Sequence, residues 1–374
     1  MAVAKNVLVT GGCGFVGSHL VDALLAHGHN VRVLDNLDPQ VHGDKIPDYL
    51  NPDAELVRGD VQDSDAVAKA LKGIDVVFHL AAVIGVGQSM YEISRYVGTN
   101  TLGTAVLLQT LLNRQSRVQK LIVASSMSIY GEGKYACENC GIVTPPLRPA
   151  QQLQEKQWEM VCSQCGSELE PIPTDESKPL QCSSIYALSK KDQEEMSLLF
   201  GRTYNLPVVA LRYFNIYGPR QALSNPYTGV AAIFASRLLN GNPPLVFEDG
   251  NQLRDFVSVN DVVQANILAM EHSAGDGRAL NIGSGQPISI SDVGRVLGSA
   301  LHSNIHCKLT DKYRAGDIRH CFADISAAKA CLSYKPHVQF ADGVKDLVGW
   351  LESQKPTDRV VEAFAQLNSF GLAA

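Results

Sequence analysis

A strand that runs straight into a glycine loop, and from there into a helix, constrains this chain more than any other feature. Residues 6–10 (NVLVT) are an apolar run of strand length. Gly11-Gly-Cys-Gly14-Phe15-Val16-Gly17 follows with G-x-x-G-x-x-G spacing, and residues 18–26 (SHLVDALLA) have helical periodicity. A second strand, 31–34, ends at Asp35. The alternation continues with a strand at 56–58, a helix at 64–71, a strand at 75–82, a helix at 100–112 and a strand at 120–125. Continuous apolar strands separated by amphipathic helices need cover on both faces, which means a parallel sheet. Right-handed crossovers then give an α/β, doubly wound arrangement of Rossmann type.

The loop has a chemistry of its own. Its first glycines allow a tight turn, and bare backbone can approach a pyrophosphate at the positive end of the helix that starts near Phe15. Asp35, about 20 residues further on, is placed to bond both hydroxyls of a ribose and to repel a 2′-phosphate. The next residue is Asn36, not arginine, so the expected cofactor is NAD rather than NADP.

Between 133 and 171 the rhythm stops, and the stretch reads as an insertion. It holds Cys137-x-x-Cys140 and, 21 residues later, Cys162-x-x-Cys165. That is the spacing of a zinc ribbon, with two thiolates from each knuckle on one tetrahedral ion. Four cysteines leave no open coordination position, so the expected zinc is structural, and it supplies the folding energy that a small insert lacks. The remaining cysteines, Cys13, Cys182, Cys307, Cys321 and Cys331, are scattered and read as small, partly or wholly buried residues. After the insert come a helix at 186–204, a strand at 208–212, shorter mixed pieces and a last helix at 343–353. Residues 1–215, interrupted by 133–171, thus read as a cofactor domain. Residues 216–374 read mainly as a smaller mixed α/β substrate domain, with a return to the first near 256–282.

Composition removes several classes. The chain is 45% apolar and 19% charged, which excludes general disorder. A net charge of −6 argues against a nucleic-acid partner. No apolar run reaches about 18 residues, so no membrane span is expected. The opening MAVAKNVLVTGG lacks the layout of a signal peptide, so a cytoplasmic protein without a disulfide framework is expected.

Tyr186-Ala-Leu-Ser-Lys190 is Y-x-x-x-K, and on a helix i and i+4 share a face. A tyrosine is a poor base at neutral pH, and a neighbouring ammonium stabilises its phenolate. Upstream, Ser125-Ser126-Met127-Ser128-Ile-Tyr130-Gly131 lies at a strand end, the edge of such a sheet where ligands bind. With these motifs the sequence resembles the extended short-chain dehydrogenase/reductase family, in its nucleotide-sugar epimerase/dehydratase branch. Further marks are Asp60, HLAA (79–82), Asn100 with Gly103-Thr104, RYFNIYGPR (212–220), LRDFVSVND (253–261), NIGSG (281–285) and RAGDIRH (314–320). They cover nearly the whole chain outside 133–171.

The resemblance implies Tyr186 as base, Lys190 as its pKa partner and ribose ligand, and Ser126 as donor to the reacting sugar oxygen. It implies a cofactor site of Gly11, Gly14, Phe15, Val16, Gly17, Asp35, Asn36, Asp60, Val61, Leu80, Ala81, Ala82 and Asn100, with Tyr186 and Lys190. For the nucleotide-sugar substrate it implies Ser126, Ser128, Tyr186, Asn215, Arg220, Phe247, Arg254, Arg314 and Asp317, with Asn215, Arg254 and Arg314 on the diphosphate. A homodimer through two helices, 100–112 and 186–204, is expected on the same ground. The dehydratases of the branch carry an acidic pair after the catalytic Ser/Thr, where this chain has Met127 and Ser128. The decarboxylases keep a glutamate at the second of these positions. Both differences favour epimerisation at C4. The cysteine insert, with SNPYTGV (224–230) and GDIRHCFAD, most resembles dTDP-L-rhamnose 4-epimerases of bacteria. Other UDP- or dTDP-sugar 4-epimerases and a 4-ketoreductase or dehydrogenase remain alternatives.

Overall fold

The fold is known from a computed structural model describing residues 3–43, 45–113, 117–314, 316–354 and 356–372. Ala315 of the R-A-G-D-I-R-H stretch and the first two residues of the opening motif lie outside the described residues.

Seven strands form one parallel sheet: β1 (Asn6–Thr10), β2 (Asn30–Asp35), β3 (Glu55–Arg58), β4 (Val76–His79), β5 (Lys120–Ser126), β6 (Val208–Tyr213) and β7 (Arg278–Ile282). Their spatial order is β7-β6-β5-β4-β1-β2-β3. Alternate side chains feed two cores, as the period of a strand requires. Val7, Val9, Val33, Phe78 and Leu211 pack on one face with Leu20, Leu24 and Val262. Leu8, Leu34, Val77 and Leu121 pack on the other with Val67, Leu107 and Leu111. Helix Val259–Glu271 lies beside helix Phe15–Ala26, and it leads into β7.

Helix Ile185–Tyr204 shows how local sequence sets the boundaries. The Ser184 hydroxyl accepts the Ala187 N–H at 3.1 Å as N-cap, and Asn205 in the left-handed region ends the helix ahead of Pro207. Two boundaries differ from the sequence reading. The strand expected at 75–82 ends at His79, because Leu80, Ala81 and Ala82 turn away over the glycine loop. The helix expected at 100–112 begins earlier, with a π-helical turn at Val97–Leu102, before the α-helix Gly103–Asn113.

The second lobe has its own core of Phe234, Val246, Phe256, Val293, Leu297, Leu347 and Leu351. Helix Phe340–Leu351 corresponds to the helix expected at 343–353, but it is not the last. Val360–Ser369 forms another, which the sequence reading missed. The insert is a three-stranded antiparallel sheet (Lys134–Cys137, Gly141–Val143, Glu170–Ile172) around Tyr135, Met160 and Leu169. Among the described residues no helix is long and apolar enough to cross a membrane.

Candidate active site

The chain order reverses between β1 and β4, and a cavity of about 630 Å³ opens at the carboxyl ends of the strands there. Its floor is the glycine loop. Gly11 has φ +70°, and a Cβ there would lie 2.9 Å from the backbone of Ala81. A Cβ on Gly17 would meet the Gly11 carbonyl oxygen at 2.2 Å, so helix Phe15–Ala26 can sit this close to the loop only through glycine. Gly14 starts that helix with no side-chain cap, which leaves first-turn N–H groups beside the cavity without intrahelical acceptors.

Asp35 lies on the cavity wall. It already accepts the Cys13 N–H at 3.0 Å and the Leu37 N–H at 2.9 Å. A carboxylate has about four acceptor sites, so two remain for ribose hydroxyls. Phe15, Val16, Val61, Leu80, Ala81, Ala82 and Asn36 also line the cavity. Asp60 and Asn100 do not line it. Asp60 accepts the Asn36 amide at 2.9 Å, and buried Asn100 brackets the Val83 backbone with bonds of 2.8 and 3.0 Å.

A polar chain that the sequence reading did not describe fixes the wall after β4. The Ala81 N–H donates to Thr10 Oγ1 at 3.2 Å, and the Thr10 hydroxyl donates to His79 Nδ1 at 2.8 Å. His79 Nε2–H then donates to Thr104 Oγ1 at 3.0 Å, and the Thr104 hydroxyl to the Asn100 carbonyl at 2.6 Å. Each hydroxyl has one proton, so this direction satisfies every group with a neutral imidazole. Burial, with Lys190 nearby, lowers the His79 pKa to about 3, in keeping with that.

Tyr186 and Lys190 rise from the first turns of helix Ile185–Tyr204, and Ser126 ends β5; all three line the cavity. Ser126 bonds the Tyr186 phenol, and its hydroxyl lies 3.1 Å from Ser128 Oγ, which can donate to it when the Ser126 proton points to the phenol. Burial raises the Tyr186 pKa, and the Ser126 bond partly opposes it. The Tyr96 ring meets the Tyr186 ring edge-on at 6.3 Å and fixes its tilt. The Lys190 ammonium donates to the Ala124 carbonyl and to Gln193 Oε1. Burial lowers its pKa to about 7, against the attraction of Glu194.

The far end holds the arginines. Arg254 donates to the carbonyls of Leu253 and Arg319 at 2.8 Å and of Ile318 at 2.7 Å, and to no carboxylate among the described residues. Partial burial lowers its pKa, and its Nε–H and one Nη2–H have no acceptor among the described residues. Arg314 pairs with Asp317 at 2.8 Å and lies over the Phe247 ring at 4.7 Å. Asn215 Oδ1 and Ser125 Oγ are buried without a partner among the described residues, as polar groups are when a ligand completes them. Arg220 was expected among substrate ligands. It lines the cavity, but its guanidinium pairs with Asp22 at 2.7 Å and covers the Tyr49 ring at 5.2 Å. The missed helix Val360–Ser369 adds Phe364 and Leu367 to the wall. The i, i+3/i+4, i+7 spacing of Val360, Ala363, Phe364 and Leu367 was the signal for it.

In the insert, the sulfurs of Cys137, Cys140, Cys162 and Cys165 all lie within 4.8 Å of one another. Tetrahedral zinc at about 2.3 Å from each sulfur needs separations of about 3.8 Å, so the four fit one ion.

The chain matches the NAD dependent epimerase/dehydratase family over residues 7–152 and 160–283, and it belongs to that family. A dTDP-L-rhamnose 4-epimerase of Burkholderia thailandensis is 34% identical, covering 94% of this chain and 96% of its own. Among solved structures, the UDP-N-acetylglucosamine 4-epimerase of Methanobrevibacter ruminantium, in complex with UDP-N-acetylmuramic acid, is 33% identical, with TM-score 0.76 over 95% of this chain and all of that one. A UDP-glucuronic acid 4-epimerase of Bacillus cereus, in complex with UDP-glucuronic acid and NAD, is 26% identical, with TM-score 0.76 over 93% and 99%.

Proposed function

We propose that this chain inverts C4 of a nucleotide sugar through a transient 4-keto intermediate with retained NAD, and that the sugar nucleotide is dTDP-L-rhamnose. The observation that carries the reaction class is the hydroxyl set Ser126, Ser128 and Tyr186 beside a dinucleotide loop, with no carboxylate at 127 or 128. Family membership alone spans epimerases and dehydratases. A dehydration at C5 and C6 needs an acid/base pair that Met127 and Ser128 cannot form. The dTDP-L-rhamnose assignment rests on the motif resemblance and on the 34% identical relative.

When bound, NAD supplies hydride acceptance from C4 and its return to the opposite face. Asp35 and the glycine loop would hold it, with Lys190 on the nicotinamide ribose. Tyr186 takes the O4 proton as the ketone forms and gives it back as the alcohol returns. Ser126, bonded to that phenol, keeps O4 in line. Arg254 and Arg314 hold the diphosphate, the anion their guanidinium forks suit. The far end therefore stays fixed while the sugar turns over.

We also propose that one zinc sits on the four insert cysteines and that the chain forms a homodimer. Leu102, Leu188 and Leu199 expose apolar surface on adjoining helices, as a buried interface requires. A Leu199→Glu protein that stays dimeric in light scattering would remove that interface. For the reaction, the protein is incubated with dTDP-, UDP- and GDP-sugars and the products are resolved by NMR. The expected product is the C4 epimer of dTDP-L-rhamnose. Turnover only of a UDP-sugar would replace the substrate, and NADH accumulating with product would replace the reaction class.

A further inference from the structure

The insert touches the second lobe through a closed set of charges, and that set leads to the diphosphate arginines. Arg148 of the insert forms a two-pronged pair with Glu248, at 2.9 and 2.8 Å, with both side chains almost wholly buried. Glu248 also accepts from Arg319 at 3.0 Å, and Arg319 is fully buried. Arg319 reaches Asp249 at 2.7 and 2.9 Å and, in the insert, Glu159. The second oxygen of Glu159 bonds His320 Nε2 at 2.9 Å. Glu132, where the chain enters the insert, accepts the backbone N–H groups of Arg319 and His320, each at 2.8 Å. Burial alone would raise the Glu159 pKa, but its bonds from His320 and Arg319 prevail and bring it to about 2.

Apart from the Arg148–Glu248 pair, which braces Glu248, these contacts land on Arg319 and His320 and so fix the strip 317–320. That strip holds both phosphate-facing cations: the carbonyls of Ile318 and Arg319 take the Arg254 guanidinium, and the Asp317 carboxylate takes Arg314. Arg148 Nη2 also reaches the Asp317 carbonyl at 3.4 Å. The Gly133 N–H, at the start of the insert, also donates to the His320 carbonyl at 2.9 Å, and no described residue of the insert lines the cavity itself. We infer that Glu159 and Arg148 are positioning residues for diphosphate recognition: the insert sets the strip at 317–320, and the strip aims Arg254 and Arg314.

The inference rests on the sugar-nucleotide reading above. It separates affinity from chemistry, because the strip touches the diphosphate end of the cavity, whereas Ser126, Tyr186 and Lys190 stand on other elements. Glu159→Gln keeps the shape and removes the charge; Arg148→Lys keeps the charge and removes the fork. Mutations that act through such intermediates change coupling by about 3- to 30-fold.

The test titrates the NAD-replete protein with UDP and dTDP by calorimetry, with kcat and KM from turnover and bound NAD from absorbance. Expected for either variant is a 3- to 30-fold weaker affinity for the nucleoside diphosphate and an equal rise in KM. Bound NAD should not change, kcat should stay within about twofold, and Glu159→Asp should recover part of the loss. Unchanged diphosphate affinity in both variants overturns the inference. So does a fall in kcat or NAD retention that parallels the loss of affinity, since a general loosening of the fold would produce it. A wild-type protein that binds neither UDP nor dTDP instead removes the sugar-nucleotide reading, and the inference with it.

Discussion

Asp35 Oδ2 accepts the backbone N–H of Cys13 at 3.0 Å, so the carboxylate ending β2 is tied to the glycine loop of β1. The tie fixes the rotamer, and the free lone pairs are set toward the cavity before a cofactor binds. The cationic candidate beside it is His42, whose Nε2 lies 4.0 Å from Asp35 Oδ1; burial lowers its pKa despite the pull of Asp35. A neutral imidazole offers a 2′-phosphate no charge. Cofactor-stripped protein should therefore bind NAD more tightly than NADP. Asp35→Ala should lose about 10- to 100-fold in NAD affinity, the scale of one or two charge-assisted hydrogen bonds. Equal binding of both cofactors to the wild-type protein would end the role given to Asp35.

The Thr10–His79–Thr104 chain makes a prediction about acid. His79 has a folded pKa near 3 against about 6.5 when exposed, so between these values the unfolded chain binds the extra proton. Stability from this site is complete above about pH 6.5. It declines as pH falls toward 3, by an amount on the order of 4–5 kcal/mol in total. His79→Asn should be less stable at pH 7.5, because a matched chain is broken. It should nonetheless lose less melting temperature than wild type between pH 7.5 and 5. Parallel losses in calorimetric scans would show that His79 is not the group that senses acid.

Zinc in the insert should be measurable in the protein as isolated. Elemental analysis is expected to give one zinc per chain, and Cys137→Ser/Cys162→Ser should abolish it. Each knuckle is preset: Gly141 and Gly166, at φ +76°, follow Cys140 and Cys165 and turn the chain so that paired sulfurs converge. The small core of Tyr135, Met160 and Leu169 is too slight to hold the insert alone, so the metal-free variant should lose protease resistance within 133–171 first. Zinc well below one equivalent in metal-replete protein would defeat the assignment.

How much of this was legible in the sequence follows from the range of the interactions. The sheet, the glycine loop and Asp35 were legible because strand period, helix period and loop glycines are local signals. Tyr186 and Lys190 were legible because i and i+4 share a helix face. The end of β4 at His79 was not, since Leu80-Ala81-Ala82 leaves the strand to close over Gly11, a contact between distant residues. Nor was the partner of Arg220, because Asp22 is far away in sequence and only the folded lobes bring the two together. The ion set around Arg319 escaped for the same reason: Glu132, Glu159 and the adjacent Glu248 and Asp249 come from three separate segments, and no spacing rule joins them. The helix Val360–Ser369 was different. Its periodicity was present, and what hid it was the loop that separates it from Phe340–Leu351.

The last prediction concerns the proton that Tyr186 must move. In the folded chain, burial raises the phenol's pKa and the Ser126 bond partly opposes that, while burial lowers Lys190 to about 7. The base is usable only when the phenol is ionised, and a protonated Lys190 favours the ionised form. Activity should therefore fall on the acid side, as Tyr186 takes up its proton. Lys190→Met removes the stabilising charge and should move that acid limb of kcat/KM to higher pH, while also loosening NAD retention. Tyr186→Phe keeps the ring against Tyr96 and deletes only the oxygen, so fold and bound NAD should survive while rate falls by about 10²–10⁴. Ser126→Ala should cost less, because one hydrogen bond is lost and Ser128 stands 3.1 Å away. The decisive label is deuterium at the sugar C4, followed by NMR with unlabelled free NAD present. Deuterium retained at C4 with inverted configuration is the expected result. Washout of the label, or a fully active Tyr186→Phe protein, would each show that hydride and proton do not travel by the route assigned to these residues.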